Sequence, residues 1–222
     1  MSFIPLPEGG IRVGTSKNIP LDAGVVFKNI CLDKLINPTP GQEWNAWNLA
    51  KTTSWTNYNG IQVPAKIGAT RGGVSFNPGR SERQIEVDGR RTYIVGYQRI
   101  DMLEPTIKIN LLEGRDPETQ SYYLGSGTSE HLGAYTRIQS LLYVREEEYL
   151  GNIVVAQFVG GSPLPILYVI NNARANTAEE TQTTDKNETV LPVTFMGHTT
   201  EDDIYGELLS PGEVWVPDLL VS

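Results

Sequence analysis

The residues Thr106-Ile107-Lys108-Ile109-Asn110-Leu111 alternate polar and apolar without a break. A period of two yields one apolar face only in an extended chain, so this stretch reads as a half-buried antiparallel strand. Ile107, Ile109 and Leu111 face a core in that reading, and Thr106, Lys108 and Asn110 face water. Strand-length apolar runs recur at residues 24–30, 74–76, 85–87, 93–97, 152–159, 166–170 and 191–195. The 22 glycines and 14 prolines interrupt the chain too often for long helices and suit turns between short strands. Asp88-Gly89 lies between two of the runs, where a type I′ turn requires φ > 0, and predicts a hairpin. Pro192 cannot donate to a ladder, which predicts an edge or a bulge for its strand.

Elsewhere the pattern is weaker. Residues 114–130 read as a polar Gly/Ser-rich connection. Ser129 can cap a short helix carrying Leu132, Tyr135, Ile138 and Leu142 on one side, with a strand through 141–144 as the competitor. Residues 174–189 are polar and unpatterned. The expected fold class is mainly β: two packed, mostly antiparallel sheets in a β-sandwich, with a flanking α-helix and long loops. At 222 residues one elaborated domain is expected, spanning 24–200. An extended arm precedes it over 1–23, and a C-terminal extension, 201–222, holds Trp215 and is expected to dock on a neighbour. A Trp-rich insertion loop occupies 37–60, with Trp44, Trp47, Trp55 and Tyr58 among Asn, Thr and Ser. Aromatics there can cap the core, stack on a sugar or fill a pocket on a partner subunit.

Chemistry-bearing constellations are scarce. The single cysteine, Cys31, cannot form an intrachain disulfide and reads as a small buried residue. His131 and His198 are the only histidines, too few with one thiol for an imidazole or thiolate metal cluster. Gly68-Ala69-Thr70-Arg71-Gly72-Gly73 lacks the lysine-hydroxyl ending of a phosphate-binding loop, so its glycines read as turn or bulge positions. No nucleophile elbow is present, and Gly125-Ser126-Gly127 reads as loop. Glu146-Glu147-Glu148 reads as a solvated turn or a negative patch. No enzyme activity, cofactor or metal is expected.

The net charge of −8 opposes nucleic-acid affinity, which needs cations against phosphates. The charge is uneven: 16 Lys/Arg against 13 Asp/Glu over 1–145 gives +3, and 2 against 13 over 146–222 gives −11. Such a split fits either a solvated acidic surface or unlike surfaces that meet between copies. No apolar run reaches the roughly 20 residues of a membrane helix, and the N-terminus does not read as a signal peptide.

An ordered set of motifs adds to this. Ile67-Gly68-Ala69-Thr70-Arg71-Gly72-Gly73-Val74-Ser75-Phe76 is followed by Arg83-Gln84-Ile85-Glu86-Val87-Asp88-Gly89 and Gly96-Tyr97-Gln98-Arg99-Ile100-Asp101. Leu111-Leu112-Glu113, Tyr149-Leu150-Gly151-Asn152-Ile153-Val154-Val155 and Asp185-Lys186-Asn187-Glu188-Thr189-Val190 complete the series. In this order they resemble the major tail tube proteins of tailed bacteriophages, particularly those with long non-contractile tails. The resemblance covers roughly 24–200; the insertion at 42–60 and the arm before Asp22 have no clear counterpart.

The resemblance implies a virion protein, assembled in the host cytoplasm, whose hexameric rings stack into a tail tube around a tape-measure protein. Inner sheets join into one barrel, and DNA passes through the lumen without sticking. Tail terminator and distal tail proteins are implied partners, and no membrane is. Within that frame Thr106, Lys108, Asn110, Glu146, Glu147 and Glu148 are candidate lumen residues. Trp44, Trp47, Trp55, Tyr58 and Trp215 are candidate subunit contacts. A tail terminator or neck-ring subunit, another tail-like injection machine and a carbohydrate-binding module are the alternatives.

Overall fold

A computed structural model describes residues 24–30, 32, 54–56, 62–64, 67–86, 88, 92, 95–125, 128–157, 165–178, 189–200 and 210–217. The readings made for the 1–23 arm, Cys31, Trp44, Trp47, Tyr58, Gly160–Pro163 and the 201–209 segment lie outside these residues. The fold is mainly β with a flanking helix, as the alternation predicts.

The main sheet runs β1 (Val25–Lys28), β10 (Leu150–Gln157), β11 (Ile166–Ala178), β12 (Leu191–Met196), β7 (Thr106–Leu111), β4 (Thr70–Asn77), and β13 (Gly212–Trp215) also pairs with β11. Every ladder among the described residues is antiparallel. The long strand β11 belongs to two layers. Its first part pairs with β10 and β13, and from Arg174 onward it pairs with β12. Between them Asn172 takes φ 45°, a left-handed conformation that asparagine tolerates. His198 Nδ1 lies 3.0 Å from the Asn172 carbonyl and the His198 amide donates to Asn171 at 2.9 Å, so this histidine braces the bend.

The two layers pack face to face. Val26, Ile153, Val155 and Ile170 from one meet Ile107, Ile109, Leu111, Leu191, Val193 and Phe195 from the other, in one buried cluster. Each fully buried side chain of this size contributes about 1.5–3 kcal/mol. The first layer is apolar on its other face too, where Phe27, Val154, Ala156, Leu167 and Val169 are buried with Trp215 against them. Burial on both faces is why Ile153-Val154-Val155-Ala156 reads as a continuous apolar run.

Five expectations need correction. The helix is α1 (Pro117–Tyr123), not a segment starting at Ser129: Asp116 caps it by accepting from the Thr119 amide at 2.9 Å, and Pro117 starts it. Residues capped by Ser129 form instead a hairpin of β8 (Thr128–Leu132) and β9 (Tyr135–Gln139), because Gly133 at φ 62° makes a turn. Residues 141–144 are not a strand. β11 continues to Ala178 through a stretch that reads as unpatterned, because its inward residues Ala173 and Ala175 carry little apolar signal. β12 is interior, not an edge; Pro192 is tolerated because pairing with β11 begins only at Val193, next to a bulge between Ala175 and Thr177.

Two further elements complete the described chain. β2 (Ser54–Thr56), inside the Trp-rich segment, holds Trp55 and pairs with β3 (Gln62–Pro64). β5 (Arg80–Gln84) pairs with β6 (Gln98–Leu103), from Arg80↔Leu103 to Gln84↔Gln98. The Ile85 amide donates to the Tyr97 carbonyl at 2.8 Å, which carries the pairing one step further, and the turn expected at Asp88-Gly89 involves residues outside those described.

Candidate assembly surface

Strands β4, β5, β6 and β7 form one long hairpin. Its base is in the main sheet, where Asn77 pairs with Thr106, and its outer half is the β5–β6 ribbon. Prolines mark the joint in both strands, Pro78 in one and Pro105 in the other. Neither can donate to the ladder, so the sheet pairing stops there and resumes beyond. Gly79 at φ 58° fits the crossing so closely that a methyl group on it would lie 1.8 Å from the Glu104 carbonyl oxygen. Pro105 is itself buried, against Gly197 and Gly212, and its carbonyl accepts from the Gly197 amide at 2.9 Å. The root of the arm is therefore tied to the body.

Most described residues of the arm beyond the joint are exposed, with Gln84 and Ile85 half-buried. Every residue of β6 is exposed, with Ile100 at 50% and Met102 at 52%. β5 presents only Arg80, Ser81, Glu82, Arg83 and Gln84. Arg83 binds Asp101 across the ribbon at 2.7 Å, a surface pair worth at most about 1 kcal/mol. A two-stranded ribbon without a packed face is marginally stable in water, so such a ribbon needs a surface to lie on. Leu142, Tyr143 and Val144 form a second exposed apolar stretch, after β9.

Among the described residues β4 ends the main sheet on this side and pairs with β7 alone. Its first half is bulged between Thr70 and Val74, with Gly72 and Gly73 at φ 79° and 86°; the regular half runs from Val74 to Asn77. Val74 and Phe76 face inward, and Phe76 meets Tyr168 with ring centroids 5.3 Å apart. These three side chains, with Val155 and Gln157, line a groove of about 370 Å³ beside the free edge.

The candidate lumen residues divide between two places. Thr106, Lys108 and Asn110 alternate with the buried Ile107, Ile109 and Leu111 and share the outer face with Ser75, Thr194 and Arg174. The charges that β7, β12 and the second part of β11 place there are Lys108 and Arg174. Glu146, Glu147 and Glu148 form a 3-10 turn next to α1. Glu147 and Glu148 line a groove with Phe195 and Ala175, residues of the inward face, so the structure does not bring the two sets together. Arg145 sits 3.5 Å from Glu147 and 3.3 Å from Glu148.

Helix α1 is tied to the first layer by a buried cation. Lys28, 5% exposed, donates to Glu118 and lies 3.4 Å from the Tyr122 hydroxyl, which donates to Glu118 at 2.6 Å. Burial, with the Glu118 carboxylate beside it, holds the Tyr122 phenol far above its ordinary range. Of the candidate contact residues, Trp215 pairs with Leu167 of its own chain and its indole donates to Glu213 at 2.9 Å. Among the described residues no group of histidine, cysteine and carboxylate side chains could hold a metal, and no helix is long and apolar enough to cross a membrane.

Sequence reasoning missed the arm as an exposed ribbon, although the paired prolines Pro78 and Pro105 are visible in the chain. Neither a protein-family model nor a curated protein matches the chain.

Proposed function

We propose that this chain is a structural subunit that binds copies of itself, building stacked hexameric rings that form the tail tube of a bacteriophage. The observation that carries the self-association is that the described residues of one chain hold both an exposed ribbon bearing Ile100, Met102 and Leu103 and a terminal sheet strand, β4, that pairs with one neighbour. Free edges invite strand addition, and a repeated head-to-tail contact closes rings or extends filaments. The tail tube itself is drawn from the ordered motifs between Ile67 and Val190. In this reading the chain works as a wall, with no catalytic role, in the virion tail after assembly in the host cytoplasm. Its other partners are a tape-measure protein, a tail terminator and distal tail proteins, with DNA passing through the lumen. The polar face bearing Thr106, Lys108 and Asn110 is the candidate wall.

Electron microscopy of the purified protein tests this. Long hollow tubes are expected. Solitary rings would move the reading to a tail terminator or neck-ring subunit. A monomer that binds glycans through Trp44, Trp47 and Trp55 would replace it with a carbohydrate-binding module.

A further inference from the structure

We propose that Arg99, on strand β6 of one copy, enters the groove between α1 and the 145–148 turn of a second copy and sets its guanidinium against Glu147 and Glu148. The inference rests on the self-assembly reading and specifies one contact within it. The groove, of about 230 Å³, has an apolar floor in Leu150, Ala175 and Phe195, a wall in Tyr122 and carboxylates around them. Such a lining suits an amphipathic cation, whose methylene stem lies on apolar surface while its charged head reaches the polar rim.

The carboxylates there are short of donors. Glu118 is already served by Lys28 and by the Tyr122 hydroxyl. Glu147 and Glu148 share Arg145 at 3.5 and 3.3 Å, longer than the roughly 2.7–2.9 Å of a strong charge-assisted bond. The Glu148 side chain is 9% exposed, and its Oε2 is buried with no hydrogen-bond partner among the described residues. A buried carboxylate oxygen without a donor is costly, and Glu148 lines this groove, so an entering guanidinium supplies what is missing. The planar fork of arginine can serve two carboxylates at once.

The arm carries the matching cation. Among the described residues Lys28, Arg80, Arg83 and Arg137 bind carboxylates of their own chain, whereas Arg99 binds none. Arg99 stands directly across the ribbon from Arg83, and like charges placed opposite each other weaken a ladder. Asp101 offsets Arg83 at 2.7 Å, which leaves Arg99 to an anion from outside the ribbon. The root of the arm is fixed to the body and Arg99 is exposed, so a second copy supplies the groove. Each copy then offers one arm and one groove, a heterologous contact that propagates. The contact also joins the two unlike parts of the chain: Arg99 belongs to 1–145, at +3, and the two glutamates to 146–222, at −11.

Charge reversal followed by sedimentation velocity tests this on the full chain. Arg99 and Glu147 are both exposed, so reversing either is expected to leave circular dichroism unchanged. Arg99→Glu and Glu147→Arg are each expected to raise the concentration needed for assembly at least about tenfold. Mixed in equal amounts, the two variants are expected to assemble together within about threefold of the unmodified chain's concentration, because the altered arm of one meets the altered groove of the other with opposite charge. Unchanged assembly of either single variant, or no recovery on mixing, overturns the contact while leaving self-assembly intact. An unmodified chain that never assembles overturns both readings. As a second measurement, Arg99→Gln is expected to flatten the dependence of assembly on sodium chloride, because the contact it removes is screened by salt. An unchanged salt dependence contradicts the contact.

Discussion

Gly79 shows how one residue fixes the direction of a long element. Its positive φ and the 1.8 Å approach of any added methyl group to the Glu104 carbonyl leave no room for a side chain. Gly79→Ala is expected to cost roughly 1–3 kcal/mol in chemical denaturation, from left-handed strain and overpacking together. An unchanged midpoint would show that the joint yields freely. The phenol of Tyr122 makes a second residue-scale test. Its folded pKa is raised above the ordinary value, so its contribution is complete below about pH 10 and is lost as the pH climbs beyond that. Stability measured from pH 9 to 11 is expected to fall less steeply in Tyr122→Phe than in the unmodified chain. Identical slopes would remove Tyr122 from the account.

At the scale of elements, legibility in the sequence follows side-chain size and distance along the chain. Thr106–Leu111 and Leu191–Met196 are readable because large apolar residues alternate with polar ones. The second part of β11 hides because alanine buries well but signals weakly, and α1 hides because Asp116-Pro117 lies in a stretch that looks like loop. The interior position of β12 depends on partners 80 or more residues away, Leu191 on Leu111 for example, which no local pattern encodes. In the proposed reading the exposed arm is the element on which self-assembly turns. Replacing residues 80–103 by Asn-Gly is expected to leave the body folded, because Asn77 and Thr106 already pair. The shortened chain is expected to keep a cooperative unfolding transition and to stay monomeric in sedimentation. Loss of cooperative unfolding would make the arm part of the core instead.

For the whole molecule, two packed layers share one strand, and the hydrophobic demand is met over most of the interior. What the described residues leave unmet is local: the outer edge of β4, the β5–β6 ribbon and a few exposed apolar side chains. The division of charge is a second whole-chain feature, and its use between copies depends on which surfaces meet. The most direct test is sedimentation velocity of the purified chain across a hundredfold range of concentration. Growth from a single subunit to large, concentration-dependent assemblies is the expected result. A single species of 24.5 kDa at every concentration would contradict the account.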